Sequence, residues 1–372
     1  MTHLLQNLQP LQTDPIFAAA ARAKLSKDPK IDATIGVILD EEGQLFEFKT
    51  IQRALESISI EKGYAPLAGN QQYLSSVTKL VFGKNTEKTS AVATCGGTGA
   101  LSVILHLAKS AGYNTVTLPL PSWVNHPRLI AAAGLEVQIV TDCDALLEKL
   151  NSVKSPTAVL VQLGCHNPTG RDFSDEQWSD LAEALESSDH LLLLDSAYQG
   201  LGEGIQEDVA PLKLFQESGI PFMLAWSASK NHGLYGLRTG AALSYHPDKS
   251  LSELLQQHLV MTNRAITSVA PALGQEIVAK VQMDYFEEWS AELMRLRSVL
   301  AEKRSLLAKA LPDFADLING SHGLFVQIPL EKSIITTLES QSIFIATDGR
   351  INIAGLAMKQ INELGEKIKN CI

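Results

Sequence analysis

The sequence predicts an α/β fold, with a mostly parallel central sheet, helices on both faces, and a smaller α+β domain. From about residue 90, short apolar runs alternate with longer amphipathic stretches. The runs are TVTLPL at 115–120, VQIV at 137–140, TAVLVQL at 157–163, HLLLLD at 190–195, FMLAW at 222–226 and GAALSY at 240–245. Helix-like stretches such as DEQWSDLAEALESS at 175–188 separate several of them. Strands that alternate with helices form a largely parallel sheet. Ligands of such sheets gather beyond the carboxyl ends of the strands. The polar candidates fall there: GGTG follows one run, Asp195 ends another, and Ser227 and Lys230 follow a third.

The 372 residues suit one large domain with a smaller companion. Residues 275–311 read as helix, with apolar positions at helical spacing and a length that suits a spine between two domains. HGLFVQI and GRINIAGL suggest a small C-terminal unit, onto which the first forty or so residues fold back. The expected division is 1–43 as an N-terminal arm and part of the small domain, 44–294 as the large domain, and 295–372 as the C-terminal small domain.

A formal net charge of −10 argues against nucleic acid as a partner, which calls for a basic stripe. Cys95, Cys143, Cys165 and Cys371 include no C-x2-C pair, so no metal centre is expected. Scattered free thiols suit a reducing compartment. MTHLLQNLQPLQTDP lacks the basic and apolar regions of a signal peptide. The most apolar runs, such as 191–194, are too short to span a bilayer. A cytoplasmic protein that does not engage membranes is expected.

The chemistry-bearing residues form several groups. In Gly96-Gly97-Thr98-Gly99, small residues open a helix and expose backbone N–H groups to an anion. The plain alternative is a glycine turn, and the string matches neither the Walker pattern nor G-x-G-x-x-G. In Ser227-Ala228-Ser229-Lys230, a lysine just past a buried strand loses solvation, which favours its neutral, nucleophilic form. Lysine can condense with an aldehyde and arginine cannot. Ser227 and Arg238 can hold a phosphate, the arginine through a two-pronged contact. Ser-x-x-Lys also occurs in serine β-lactamases, but their S-D-N and K-T-G strings are missing. Asp195 ends four leucines, where a carboxylate needs a partner; a protonated pyridine nitrogen would serve, as would a structural salt bridge. Tyr198 and the Asn167 of HNPTG can donate to a phenolate oxygen, although N-P-T-G is also turn chemistry. Trp123 can stack on an aromatic ring or pack in the core.

Together these residues resemble the class I aminotransferases of the aspartate and aromatic amino acid subgroup, on the pyridoxal-phosphate fold type I. The blocks that carry the resemblance are GGTGAL, PSWVNHP, CHNPTG, DSAYQG, SASKNHGLYGLRTG and GRINIAG, which run from near residue 36 to near 355. The resemblance implies pyridoxal 5'-phosphate as cofactor, with Lys230 bonding it and then moving the substrate proton. It implies that Asp195 keeps the pyridine nitrogen protonated with His126 behind it, that Asn167 and Tyr198 hold the ring oxygen, and that Trp123 stacks on the ring. It assigns the phosphate to Gly97, Thr98, Ser227 and Arg238, with Tyr64 reaching in from a second subunit of a homodimer. Arg350 would bind the substrate α-carboxylate with Gly36 nearby, and Arg264, again from the second subunit, a distal carboxylate.

Three departures bear on the substrate side chain. Ile38 stands where the family often has tyrosine, Thr239 where an aliphatic residue is usual, and RAITSVAPALG around Arg264 is unusually apolar. In such a string an unpaired guanidinium is expected to be costly unless it meets an anion. The function expected is transfer of an amino group from a dicarboxylic or aromatic L-amino acid to a 2-oxo acid such as 2-oxoglutarate. β-Elimination or β-decarboxylation with the same cofactor is the enzymatic alternative. A cofactor-binding regulatory module without turnover is the non-enzymatic one, although the chain carries no DNA-binding segment and keeps Arg350.

Overall fold

The computed structural model describes residues 15–26, 30–34, 36–59, 63–84, 86–153 and 155–372. The segment 1–14, read above for export signals, lies outside them. The strands are β1 (Ile31–Asp32), β2 (Thr89–Cys95), β3 (Thr115–Pro119), β4 (Glu136–Val140), β5 (Ala158–Gln162), β6 (Leu191–Ser196), β7 (Phe222–Ser227), β8 (Thr239–Tyr245), β9 (Phe325–Gln327), β10 (Ile343–Phe344) and β11 (Arg350–Asn352). Seven of them form one sheet in the order β2-β8-β7-β6-β5-β3-β4. All pairings are parallel except those of β8, which runs against both β2 and β7. The apolar runs of the sequence are therefore the sheet, and β5 to β8 are buried almost throughout because helices cover both faces. β4 differs: it is an edge strand, and Ile139 on it is 56% exposed.

A third apolar cluster lies apart from the two that flank the sheet. It gathers Leu307, Ile318, Val326, Ile351 and Leu364 with Ile31 and Ala33 from the N-terminal region. Short strands seal this assembly, β1 parallel to β10 and β9 antiparallel to β11. Ile38 and Phe48 already belong to the large core. The expected spine is two helices, Ala272–Asp284 and Phe286–Ala310, rather than one. The break is at Tyr285 (φ −130°, ψ 19°), whose ring lies under the Arg53 guanidinium at 4.4 Å. The second helix is continuous across the cores: Leu293, Leu296 and Leu300 pack in the large one, Leu307 and Ala308 in the small one. We propose the division 1–43, 44–294 and 295–372 as a working description, since no loop within that helix marks a boundary.

One close approach ties the helix Ala272–Asp284 to the sheet. A Cβ on Gly274 would lie 1.7 Å from the Thr239 hydroxyl, which is buried without a hydrogen-bond partner among the described residues. Glycine is the residue that lets the helix rest on β8 beside this threonine. Gly274→Ala should destabilise the protein by about 1–3 kcal/mol, the usual range for overpacking. Adding Thr239→Ala should recover most of that loss in thermal unfolding. A double variant no more stable than Gly274→Ala alone would place the strain elsewhere.

Candidate active site

The carboxyl edge of the sheet holds a cavity of about 210 Å³. Its lining includes Gly97, Thr98, Trp123, Asn167, Asp195, Tyr198, Ser227, Lys230 and Arg238, so nine of the residues named from the sequence meet in one place. Each arrives from a strand end. β2 stops at Cys95 and the helix Gly96–Ser110 begins; Asp195 is the penultimate residue of β6; Ser227 closes β7; Arg238 immediately precedes β8.

One end of the cavity is built for an anion. The first residues of a fifteen-residue helix present N–H groups there. Gly96 has φ +67°, and a Cβ on it would sit 2.5 Å from Arg238 Nη2. The guanidinium thus lies against bare backbone, in space a side chain would fill. Arg238 itself is left-handed (φ 51°), a conformation rare outside glycine. It is held by hydrogen bonds from Nη1 to the Tyr235 carbonyl (3.2 Å) and Ser229 Oγ (3.4 Å). Ser227 and Ser229 add hydroxyls, 3.0 Å apart. Backbone donors, two hydroxyls and a guanidinium around a glycine cradle fit a phosphate.

The other end carries the acid–base groups. Asp195 Oδ2 accepts from His126 Nε2 at 3.0 Å, and His126 Nδ1 lies 2.7 Å from Ser122 Oγ. With Nε2 as donor, Nδ1 accepts from the serine, so a neutral imidazole satisfies both contacts. Among the described residues Asp195 Oδ1 has no side-chain partner, which leaves one carboxylate oxygen for a cationic ring nitrogen. Lys230 lies 5.1 Å from the Tyr198 ring centroid. Burial pushes its ammonium down to about 8; Asp195 opposes the shift and Arg238 adds to it. Burial likewise raises the Tyr198 phenol. An aldehyde-capturing amine, a carboxylate for a pyridinium and a phosphate cradle together fit pyridoxal phosphate.

Arg350 does not line the cavity but stands behind it. Its Nη1 donates to Asn167 Oδ1 at 2.9 Å and its Nη2 to the Thr34 carbonyl at 2.6 Å. Asn167 Nδ2 in turn lies 3.4 Å from Tyr198 Oη, so one amide joins the arginine to the ring-side phenol. The Arg350 guanidinium covers the Phe325 ring at 4.6 Å, and a Cβ on Gly36 would touch that same ring at 2.9 Å. Tyr64 and Arg264 are not at this cavity. Tyr64 is 96% exposed. Arg264 is exposed on the helix Lys249–Thr267, and its apolar neighbours Met261 and Ile266 are exposed too. Arg264, expected to act from a second subunit, is thus exposed on its own chain, while Ala270 and Gly274 further along the same string are buried.

Sequence reasoning missed several contributors. Gln162 ends β5, lines the cavity and clamps the Asn167 backbone, accepting from its N–H at 3.1 Å and donating to its carbonyl at 2.9 Å. The strand-end rule already pointed to it. Ser229 was within the quoted motif but unassigned. Phe325, under Arg350, carried no signal beyond an apolar run.

Cofactor-free protein should show a distinctive amine at Lys230. At pH 8 about half of it should be neutral, against well under ~1% of an ordinary lysine near 10.4. Carbamylation by cyanate across a pH series, followed by peptide mapping, should give Lys230 a midpoint near 8. A midpoint like that of surface lysines would remove the burial argument.

Comparisons with known proteins agree with this geometry. A family model described as aminotransferase class I and II matches residues 28–368. The chain is 32% identical to an aromatic-amino-acid aminotransferase of Paracoccus denitrificans, over 95% of this chain and 96% of that one. It is 31% identical to an aspartate aminotransferase of Escherichia coli, over 98% and 99%. Among solved structures, the aromatic-amino-acid aminotransferase of Burkholderia pseudomallei, covalently bound to pyridoxal phosphate, superposes with a TM-score of 0.94 at 27% identity and covers both chains completely. These relatives favour transamination over the lyase alternative. The chain belongs to the class I and II aminotransferases and is a pyridoxal-phosphate-dependent transaminase of fold type I.

Proposed function

We propose that this transaminase takes a dicarboxylic or aromatic L-amino acid as donor and a 2-oxo acid such as 2-oxoglutarate as acceptor. It works in the cytoplasm as a homodimer with shared active sites. The observation that supports the reading is the meeting of Lys230, Asp195 and the anion cradle in one cavity, with Arg350 one amide away. No helix among the described residues is long and apolar enough to cross a membrane.

Bound pyridoxal phosphate supplies an aldehyde for the amino group and a ring that takes up the electron pair left at Cα. Lys230 would hold the cofactor at rest and would serve as the base that moves the proton at the substrate Cα. That task needs a neutral amine near neutral pH, which burial promotes. Asp195, oriented by His126, would hold the ring nitrogen of the cofactor. Asn167 and Tyr198 would hold the ring oxygen, and Trp123 would stack on the ring. Gly97, Thr98, Ser227 and Arg238 bind the phosphate, joined by Tyr64 of the second subunit. Arg350 takes the α-carboxylate beside Gly36, and Arg264 of the second subunit meets a distal carboxylate. The outward placement of Tyr64 and Arg264 supports a role for them in a neighbouring chain.

Two experiments test this. The purified protein should convert one donor amino acid for each 2-oxo acid consumed, and Lys230→Ala should lower turnover about 10²–10⁴-fold, the scale of a lost general base. Release of ammonia or carbon dioxide without use of the acceptor would refute the transamination reading. In the second, Lys230→Ala protein is mixed with Arg264→Ala protein. In each hybrid dimer one site carries both lesions and the other neither, so activity on aspartate or glutamate should reappear. No recovery after verified subunit exchange would place Arg264 outside a shared site.

A further inference from the structure

The loop that carries Gly36 is tied down from two directions. On the side of β11, Leu39 N–H donates to the Ala354 carbonyl at 2.9 Å, and Asn352 Nδ2 donates to the Val37 carbonyl at 2.8 Å. Asn352 is on the same short strand as Arg350. On the opposite side, Ile38 N–H donates to Tyr235 Oη at 3.0 Å, across 197 positions of sequence. Ile38 is 2% exposed, so this amide depends on the phenol for its partner. Tyr235 sits between Lys230 and Arg238, and its carbonyl accepts from Arg238 Nη1 at 3.2 Å. Burial pushes the phenol up to about 12, which keeps it neutral. One residue therefore touches the guanidinium at the anion end with its backbone and the Gly36 loop with its side chain.

We propose that Tyr235 is a positioning residue for the substrate carboxylate: by anchoring the Ile38 amide to the loop of Lys230 and Arg238, it sets the separation between the Gly36–Arg350 end of the site and the reacting amine. The inference rests on Arg350 as the α-carboxylate site. Gly36 lies against the Phe325 ring that the Arg350 guanidinium covers, so an anchor at the neighbouring Ile38 amide bears on how a carboxylate is held at that end. Tyr198, by contrast, reaches the same amine directly and belongs to the ring side.

Tyr235→Phe keeps the ring and removes only the acceptor. In the holoenzyme, KM for every amino acid and 2-oxo acid tested should rise about 3–10-fold, the effect of one lost hydrogen bond. kcat and cofactor retention should stay close to wild type. Amide exchange at Ile38 should quicken by a similar factor, with or without cofactor bound. A purely structural role would lower the melting temperature without this split between KM and kcat. Unchanged KM overturns the proposal whether or not Ile38 exchange quickens, and so does loss of cofactor at constant KM. Arg350→Lys is the parallel control. If KM does not rise there, the carboxylate reading fails and the proposal with it, whereas Ile38 exchange reports the Tyr235 anchor independently.

Discussion

Strand β8 runs against its neighbours, and the anion end of the site depends on that reversal. β2 and β7 deliver their carboxyl ends to the same edge of the sheet, while β8, inserted between them, begins at that edge. Cys95 pairs with Thr239 and Ser227 with Gly240. Gly96, Ser227 and Arg238 are thus brought together by register alone. An all-parallel arrangement would start β8 at the far edge and carry Arg238 away from the glycine. The bare backbone at Gly96 then lets the guanidinium close on the helix N-terminus. Two cationic sources at one point are tolerable because the expected occupant is a phosphate.

The same edge concentrates charge in a chain whose overall balance is acidic. The cavity sets Asp195 against Lys230 and Arg238, with Arg350 behind Asn167. A net charge of −10 therefore says nothing about the local field. Burial does two things at once here. It lowers the Lys230 ammonium toward a usable base, and it makes the Asp195 carboxylate rely on His126. Beneath the lysine, the Trp289 indole donates to the Asn231 carbonyl at 2.9 Å, and Asn231 Nδ2 donates to the Gln199 carbonyl at 3.0 Å. The reactive amine projects from a loop whose backbone is already satisfied by buried partners.

Much of this was legible in the sequence because the relevant signals are local. Apolar runs ending in polar residues name strand ends, and strand ends name the site, which is how Asp195, Ser227 and Lys230 were reached. Signals that depend on what lies across the fold were not legible. VQIV reads as a buried strand, yet β4 is an edge with Ile139 exposed, because nothing in the run says that no strand follows it in the sheet. The apolar string around Arg264 does not show where it is covered: Arg264 to Ile266 are exposed at the end of a helix, whereas Ala270 and Gly274 are buried. Residues 275–311 keep a helical period through Tyr285, where the chain turns under Arg53. Tyr235 and Phe325 act through partners distant in sequence, which no window of residues displays.

The distribution of roles between the two cores has a further consequence. Cofactor-facing groups stand on the ends of β2, β6, β7 and β8, strands locked in the large core on both faces. Arg350 stands on a three-residue strand backed by the smaller cluster, and the Gly36 loop crosses between them. On the role proposed for Arg350, substitutions around the small cluster would alter the substrate end without touching Lys230 or Asp195. The departures at Ile38 and around Arg264 do not follow that divide: Ile38 packs in the large core, and Arg264 is exposed on the helix Lys249–Thr267. Thr239 starts β8 beside Arg238, and Gly274 lies against its hydroxyl. A change there alters how a helix seats on the sheet, so it reaches the cofactor end through packing rather than through contact with a ligand.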